Sequence, residues 1–105
     1  MPKSISVVEA ASLQKNGATL VDVRELAEFQ EVSAPGAINV PLSLIQKIGP
    51  DAYRNLGVDP NAYGLLIICR SGGRSGVACG GLGENATNVD GGMLAWQAAG
   101  LPVKP

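Results

Sequence analysis

The sequence contains no histidine, and this absence excludes several kinds of catalytic site. A Cys-His pair, a Ser-His-Asp triad and a histidine-ligated metal all need an imidazole, so none of them operates within this chain. Only two cysteines occur, Cys69 and Cys79, which are too few for a disulfide scaffold and lack the spacing of a zinc site. Any nucleophile here must therefore be activated without a neighbouring histidine.

Charged residues are also scarce: they make up 16% of the 105 residues, and the formal net charge is −1. No block of like charges occurs, so the sequence lacks the basic patch that nucleic acids or anionic membranes require. The longest apolar runs are far too short to span a membrane, and the N-terminal segment lacks the apolar core of a signal peptide. We expect a cytoplasmic protein with no nucleic-acid partner and no membrane partner.

The distribution of apolar residues predicts a single α/β domain over residues 1–105. Apolar residues make up 46% of the chain, which is enough for one core. Short β-branched or apolar segments predict strands at 19–23, 38–40, 65–69 and 87–89. Helices are predicted from Val7 to a stop at Gly17, at 25–31 with Leu26 and Phe29 facing inward, at 75–82 and at 93–99, with one or two short helices within 43–63. Strands that alternate with helices indicate a mostly parallel sheet.

The best predicted strand ends in Cys69, and two arginines and two glycines follow it within five residues. Ligands of parallel sheets gather beyond the carboxyl ends of the strands, so this thiol lies where a binding site is expected. Glycines in the loop Arg70-Ser71-Gly72-Gly73-Arg74 allow a tight turn that aims successive N–H groups inward. We expect these amides, a helix N-terminus near Ser75 and two guanidinium groups to lower the pKa of the thiol and to attract an anionic substrate.

A plainer interpretation of the same residues stays open. A lone cysteine at the end of a buried strand is most often a small packed hydrophobe, and the loop would then be a glycine-rich turn with solvated arginines. The crowding of glycine and arginine directly after Cys69 favours the reactive thiol.

Four ordered stretches of the chain resemble the rhodanese family of sulfurtransferases. They are residues 22–25 (DVRE), 35–41 (PGAINVP), 69–75 (CRSGGRS) and 90–96 (DGGMLAW), with 100–103 (GLPV) closing the chain. Each motif alone is modest, but the ordered set is strong, and with the flanking elements the likeness runs from about residue 4 to residue 103.

This resemblance implies a three-layer α/β/α fold with a central, mostly parallel sheet of about five strands. It also implies that the Cys69 thiolate attacks the outer sulfur of thiosulfate or a similar anionic donor, and that sulfite leaves. The Cys69 persulfide then passes its sulfur to cyanide, a thiol or a protein acceptor. The amides of residues 70–75 would hold the persulfide, and Arg70 and Arg74 would bind the donor's oxygens. No cofactor and no metal are implied.

Two alternatives to the enzyme remain. Dual-specificity phosphatases of the cell-cycle type share this fold, but they have His-Cys, then five residues, then arginine. Here Ile68 precedes the cysteine and only four residues separate Cys69 from Arg74, so the shorter loop suits a sulfur atom better than a phosphoryl group. The other alternative is a non-catalytic rhodanese-like binding or sulfur-carrier module, and the intact cysteine favours the enzyme over it.

Five residues outside the loop after Cys69 also bear on the predicted site: Val32, Ser33, Asp22, Arg24 and Cys79. Val32 and Ser33 stand where the family usually has glycine and histidine, a departure expected to affect local packing more than chemistry. Asp22 and Arg24 are expected to be buried or semi-buried near the active loop, with structural support favoured over substrate contact. Cys79 falls on the helix after the loop, where a packed thiol is favoured over one that resolves an oxidised Cys69.

Overall fold

The sheet of this protein is seen in a computed structural model that describes residues 3–105. Met1 and Pro2, which the predicted domain includes, lie outside the described residues. Within residues 3–105 the strands are β1 (Lys3–Ile5), β2 (Leu20–Asp22), β3 (Ile38–Asn39), β4 (Leu65–Ile68) and β5 (Ala86–Val89). All are parallel, in the order β1-β5-β4-β2-β3. The predicted α/β class is confirmed. The short, mostly exposed β1 was not predicted, because its residues lack an apolar pattern.

The helices of residues 3–105 alternate with these strands. They are α1 (Val7–Lys15), α2 (Leu26–Glu31), α3 (Leu42–Ile48), α4 (Asp51–Asn55), α5 (Gly73–Leu82) and α6 (Gly92–Ala98), with a 3-10 turn at Gly83–Asn85. The start of α1 is as predicted, since the Ser6 hydroxyl accepts the Glu9 N–H at 3.1 Å. None of these helices has both the length and the apolarity that crossing a membrane requires.

Helices cover both faces of the sheet and produce three layers. Successive residues of β4 point to opposite faces, so a strand buried on both sides is apolar throughout. Leu65 and Ile67 pack toward α3, α4 and α5, whereas Leu66 and Ile68 pack toward α1 and α6. The first core is Val21, Val23, Val40, Ala52, Tyr53, Val58, Leu65, Ile67, Cys69, Ala78, Cys79 and Ala86. The second is Val7, Ala10, Leu20, Ala34, Leu66, Ile68, Val89, Met93 and Trp96.

Two local predictions were wrong. Helix α5 begins at Gly73 rather than at Ser75, because Gly72 takes a φ of 107° and ends the loop as the residue before the helix. The last two residues of the predicted loop, Gly73 and Arg74, therefore lie in the first turn of α5. Leu26 does not face inward: it is 54% exposed, while Phe29 of the same helix is half-buried.

The strand order reverses between β2 and β4. The chain passes from β2 outward to β3, then returns to β4 and proceeds to β5 on the other side. Ligands of open α/β sheets bind beyond the carboxyl ends of the strands at such a reversal. Cys69 follows β4 and Arg24 lies shortly after β2, so both lie at this edge of the sheet.

The start of α6 packs against the backbone that follows β4. The N–H groups of Met93 and Leu94 donate to the carbonyls of Cys69 and Arg70 at 2.8 and 3.0 Å. Gly92 has a φ of 58°, and a Cβ there would overlap both of these carbonyl groups. Only glycine allows the two backbone segments to approach this closely.

We predict that Gly92→Ala lowers the free energy of unfolding by about 3 kcal/mol, since it adds a steric overlap to the cost of a positive φ. Urea denaturation measures this change. Gly100→Ala is the matched control: its φ of 71° is similar, but nothing lies within 4 Å of the added Cβ. That control should lose only about 1 kcal/mol. Equal losses in the two variants would contradict the close approach described for Gly92.

Candidate active site

The Cys69 sulfur lies directly beyond β4 and is enclosed by the start of α5. The Gly72 N–H donates to it at 3.1 Å, and the Ser75 hydroxyl lies 3.3 Å away. The loop turns back on itself within three residues, so the Gly72 amide points at the sulfur while the carbonyls of Cys69 and Arg70 face α6. Cys69 has no exposed surface.

These contacts favour the thiolate form of Cys69. Burial acts to raise the pKa of the thiol, because it disfavours the charged form. Hydrogen bonds from the Ser75 hydroxyl and from the amides of Ser75, Gly72 and Ser71 outweigh it, so the pKa is lowered overall. The direction matches the expectation from the sequence. Its leading favourable cause is a hydroxyl group, however, and not the arginines.

Arg74 forms an ion pair with Glu28 of α2. Its Nη1 and Nη2 atoms lie 2.6 and 2.9 Å from the two carboxylate oxygens. This bidentate contact holds the pKa of Glu28 down at about 2, so the pair is charged at neutral pH. Arg70, in contrast, is exposed. Of the two predicted donor-binding arginines, Arg74 is therefore already bound to a carboxylate of the protein.

Glu28 was not predicted as a site residue. It lies 46 residues before Arg74, and no motif connects the two positions. Only the structure brings α2 to the first turn of α5.

Asp22 and Arg24 are buried, as expected, and they bind each other. Arg24 Nε and Nη2 lie 3.0 and 2.8 Å from the two carboxylate oxygens of Asp22. The same guanidinium donates to the carbonyls of Glu28 and Val32 at 3.4 and 2.6 Å. The pair therefore fixes the backbone of α2 and its C-terminal end, and with it the position of the Glu28 carboxylate.

The two residues that depart from the family pattern are accommodated by backbone contacts. The Val32 carbonyl accepts a hydrogen bond from Arg24. Ser33 is buried and pairs with Lys104 through two backbone hydrogen bonds of 2.8 and 2.9 Å. Its hydroxyl is buried with no hydrogen-bond partner. The segment is thus held by its backbone without the usual histidine.

Asn88 is a second contact of the site that the sequence analysis missed. The Ser75 hydroxyl contacts Asn88 Oδ1, and Asn88 Nδ2 donates to the Gly72 carbonyl at 3.3 Å. Asn88 lies on β5 and is almost fully buried. An amide within an otherwise apolar buried strand was the signal available, since buried polar side chains need partners.

Cys79 lies on α5, buried in the same core as Cys69, and both thiols are free. Burial, and to a smaller extent the charge of Cys69, raise the pKa of Cys79 to about 11. A thiol with this pKa stays protonated at neutral pH, which favours the packed interpretation. Within residues 3–105 no three potential ligand side chains converge as a metal site.

Comparison with known proteins places this geometry in a family. The family model described as "Rhodanese-like domain" matches residues 6–99. In an alignment of 113 positions the chain is 34% identical to the chloroplastic thiosulfate sulfurtransferase 16 of Arabidopsis thaliana, and the alignment covers 99% of this chain and 94% of that protein. Over 88 residues it is 35% identical to a sulfurtransferase of Allochromatium vinosum, covering 80% of this chain and 76% of that one.

Solved structures agree with these relatives. A rhodanese-related protein of Thermoplasma volcanium superposes with a TM-score of 0.78 at 28% identity, covering 97% of each chain. A rhodanese-like domain protein of Staphylococcus aureus gives a TM-score of 0.76 at 31% identity, covering 98% of this chain and 99% of the other. The order of elements, the cysteine loop beyond β4 and these likenesses lead to one conclusion: the chain belongs to the rhodanese-like family.

Proposed function

We propose that the protein is a sulfurtransferase that carries a sulfane sulfur on Cys69. The observation that carries the proposal is the environment of the Cys69 sulfur, which receives hydrogen bonds from Gly72 and Ser75 and has a lowered pKa. Relatives named as sulfurtransferases at about one-third identity support it. A cytoplasmic location stays a prediction from the sequence.

The proposed reaction is a double displacement at sulfur. The Cys69 thiolate attacks the outer sulfur of thiosulfate or a similar donor; a new S–S bond forms, the old one breaks, and sulfite leaves with the electron pair. An acceptor such as cyanide or a thiolate then attacks the outer sulfur of the persulfide, and the Cys69 thiolate is restored. The amides that stabilise the thiolate also stabilise the negative charge of the persulfide.

The arginines contribute unequally to donor binding in this proposal. Arg70 is exposed and carries a charge that attracts an anion toward the loop. Glu28 takes two of the five N–H donors of Arg74, so its carboxylate competes with the donor's oxygens for this guanidinium. Since Cys69 has no exposed surface, the groups that cover the sulfur also have to move aside for the donor to arrive.

That burial is the observation that favours the alternative, a non-catalytic rhodanese-like module. If no donor reaches the sulfur, the domain can bind a partner but cannot transfer sulfur. The phosphatase alternative is weaker, because only four residues separate Cys69 from Arg74, and this shorter loop suits a sulfur atom better than a phosphoryl group.

Sulfur loading tests the proposal directly. After incubation with thiosulfate and removal of excess donor, intact mass spectrometry should show a gain of one sulfur atom. Cys69→Ser should show no gain, whereas Cys79→Ala, the matched control, should load as the unmodified protein does, since its thiol stays protonated.

Two results would contradict the enzyme. No adduct with thiosulfate or with an organic persulfide leaves the binding module as the function. Turnover of an aryl phosphate in the absence of sulfur loading supports the phosphatase instead.

The contact between Glu28 and Arg74 generates a second prediction. Glu28→Gln should lower the KM for thiosulfate about two- to fivefold, because it removes the carboxylate that competes with the donor for Arg74. Initial rates of thiocyanate formation over a range of thiosulfate concentrations measure this change.

Glu31→Gln is the matched control, since Glu31 lies on the same helix and is exposed. It removes the same charge, so a similar change in KM in both variants would indicate a general electrostatic effect. A higher KM in Glu28→Gln would mean that Glu28 holds Arg74 in its binding orientation.

A further inference from the structure

The hydroxyl of Ser75 has two acceptors within reach and one hydrogen to donate. Its oxygen lies 3.3 Å from the Cys69 sulfur and in closer contact with Oδ1 of Asn88. A hydroxyl group donates one hydrogen bond at a time, so it cannot serve both acceptors. Both side chains lie in the protein interior: Ser75 is fully buried, and Asn88 is only 9% exposed.

The protonation state of Cys69 decides which acceptor needs this hydrogen. When Cys69 is a thiol, the Ser75 hydroxyl donates to Asn88 Oδ1, and the Ser75 oxygen accepts from the S–H group. When Cys69 is a thiolate, the hydroxyl has to turn to the sulfur. Oδ1 of Asn88 then faces the oxygen of Ser75 with no hydrogen between them, an unfavourable contact for buried groups.

Half a turn of the Asn88 amide removes this conflict. Nδ2 then donates to the Ser75 oxygen, while the hydroxyl donates to the sulfur. The rotation breaks the hydrogen bond of 3.3 Å from Nδ2 to the Gly72 carbonyl and turns Oδ1 toward that carbonyl oxygen, so the Gly72 contact opposes the rotation. A carboxamide offers both an acceptor and a donor, so asparagine can pair with the Ser75 hydroxyl in both states of the thiol, at a cost in its contact with Gly72.

We propose that Asn88 is a positioning residue that sets the direction of the Ser75 hydroxyl and thereby the ionisation of Cys69. The inference rests on the proposed function in that it takes Cys69 as the reacting group. No covalent bond changes at Ser75 or Asn88: the Cys69 proton goes to the buffer, and the Ser75 hydrogen stays on its oxygen.

Other charged groups reach Cys69 by other routes. Arg74 and Cys79, both on α5, interact electrostatically with Cys69. Asp22 of β2 acts on Arg74 and is bound by Arg24. In the described part of the chain, the side-chain hydrogen bonds of Asn88 are to Ser75 and Gly72, and both of these residues contact the sulfur. A change at Asn88 therefore reaches the sulfur through Ser75 or through Gly72, and removal of the Ser75 hydroxyl separates the two routes.

The test is the pH dependence of Cys69 alkylation by iodoacetamide, measured in a Cys79→Ala background so that one thiol reacts. Asn88→Asp should raise the pKa of Cys69 by about one unit, because a carboxylate keeps the Ser75 hydroxyl as its donor. In Ser75→Ala protein the same substitution should shift the pKa by roughly half as much or less, since only direct repulsion and the contact through Gly72 remain. No shift, or equal shifts with and without Ser75, would overturn the proposal.

A measurement on the unsubstituted amide keeps the proposal testable if Asn88→Asp does not fold. In 15N-labelled protein, the Nδ2 resonances of Asn88 should move with the midpoint of Cys69 ionisation, and in Ser75→Ala they should move by less than half as much, because only the contact through Gly72 remains. If the Asn88 resonances do not shift as Cys69 titrates, the inference is overturned. Alkylation and NMR both follow the ionisation of Cys69 and need no sulfur transfer. The coupling can therefore be tested in a protein that takes up no sulfur, separately from the proposed function.

Discussion

The site depends on the orientation of the peptide groups that follow Cys69. Their amide hydrogens stabilise a buried sulfur only if their carbonyl oxygens find donors on the opposite side. The first turn of α6 supplies those donors through Met93 and Leu94. Gly92 permits that approach, because a side chain there would occupy the space of the Cys69 and Arg70 carbonyls. The motif at residues 90–96 thus supports the same site from the side opposite the sulfur.

A chain of polar contacts connects the interior of the sheet with the rim of the site. Asp22 binds Arg24 in the core, and Arg24 holds the backbone of α2 at Glu28 and Val32. The Glu28 side chain then meets Arg74 in the first turn of α5. A buried ion pair is weak evidence for stability, because desolvation offsets much of its attraction. Its effect here is placement: it fixes the carboxylate that determines whether Arg74 is available.

The sequence predicted what local patterns and short motifs carry. Apolar segments located four of the five strands found in residues 3–105, and the glycine-rich stretch after Cys69 located the amide loop. β1 was missed because three mostly exposed residues form a strand only by pairing with β5. Glu28 and Asn88 were missed because tertiary contacts across 46 and 13 residues define their partners. The start of α5 was misplaced because the positive φ of Gly72 determines where the helix begins, and a glycine in a sequence does not reveal which φ it adopts.

The groups that lower the pKa of Cys69 differ from the groups that attract an anion, although the sequence suggested that the same groups do both. Two nearby arginines suggested a single cationic pocket that both ionises the thiol and attracts the donor. The structure assigns ionisation to dipoles at contact distance, the Gly72 amide and the Ser75 hydroxyl, which dissolved salt does not screen. In the proposed function, attraction of the donor falls to exposed Arg70, whose charge is screened by salt, while Arg74 is largely neutralised by Glu28. The ionisation of Cys69 and the proposed capture of the donor therefore depend on different residues, so we expect that the donor preference can change while the thiolate is preserved.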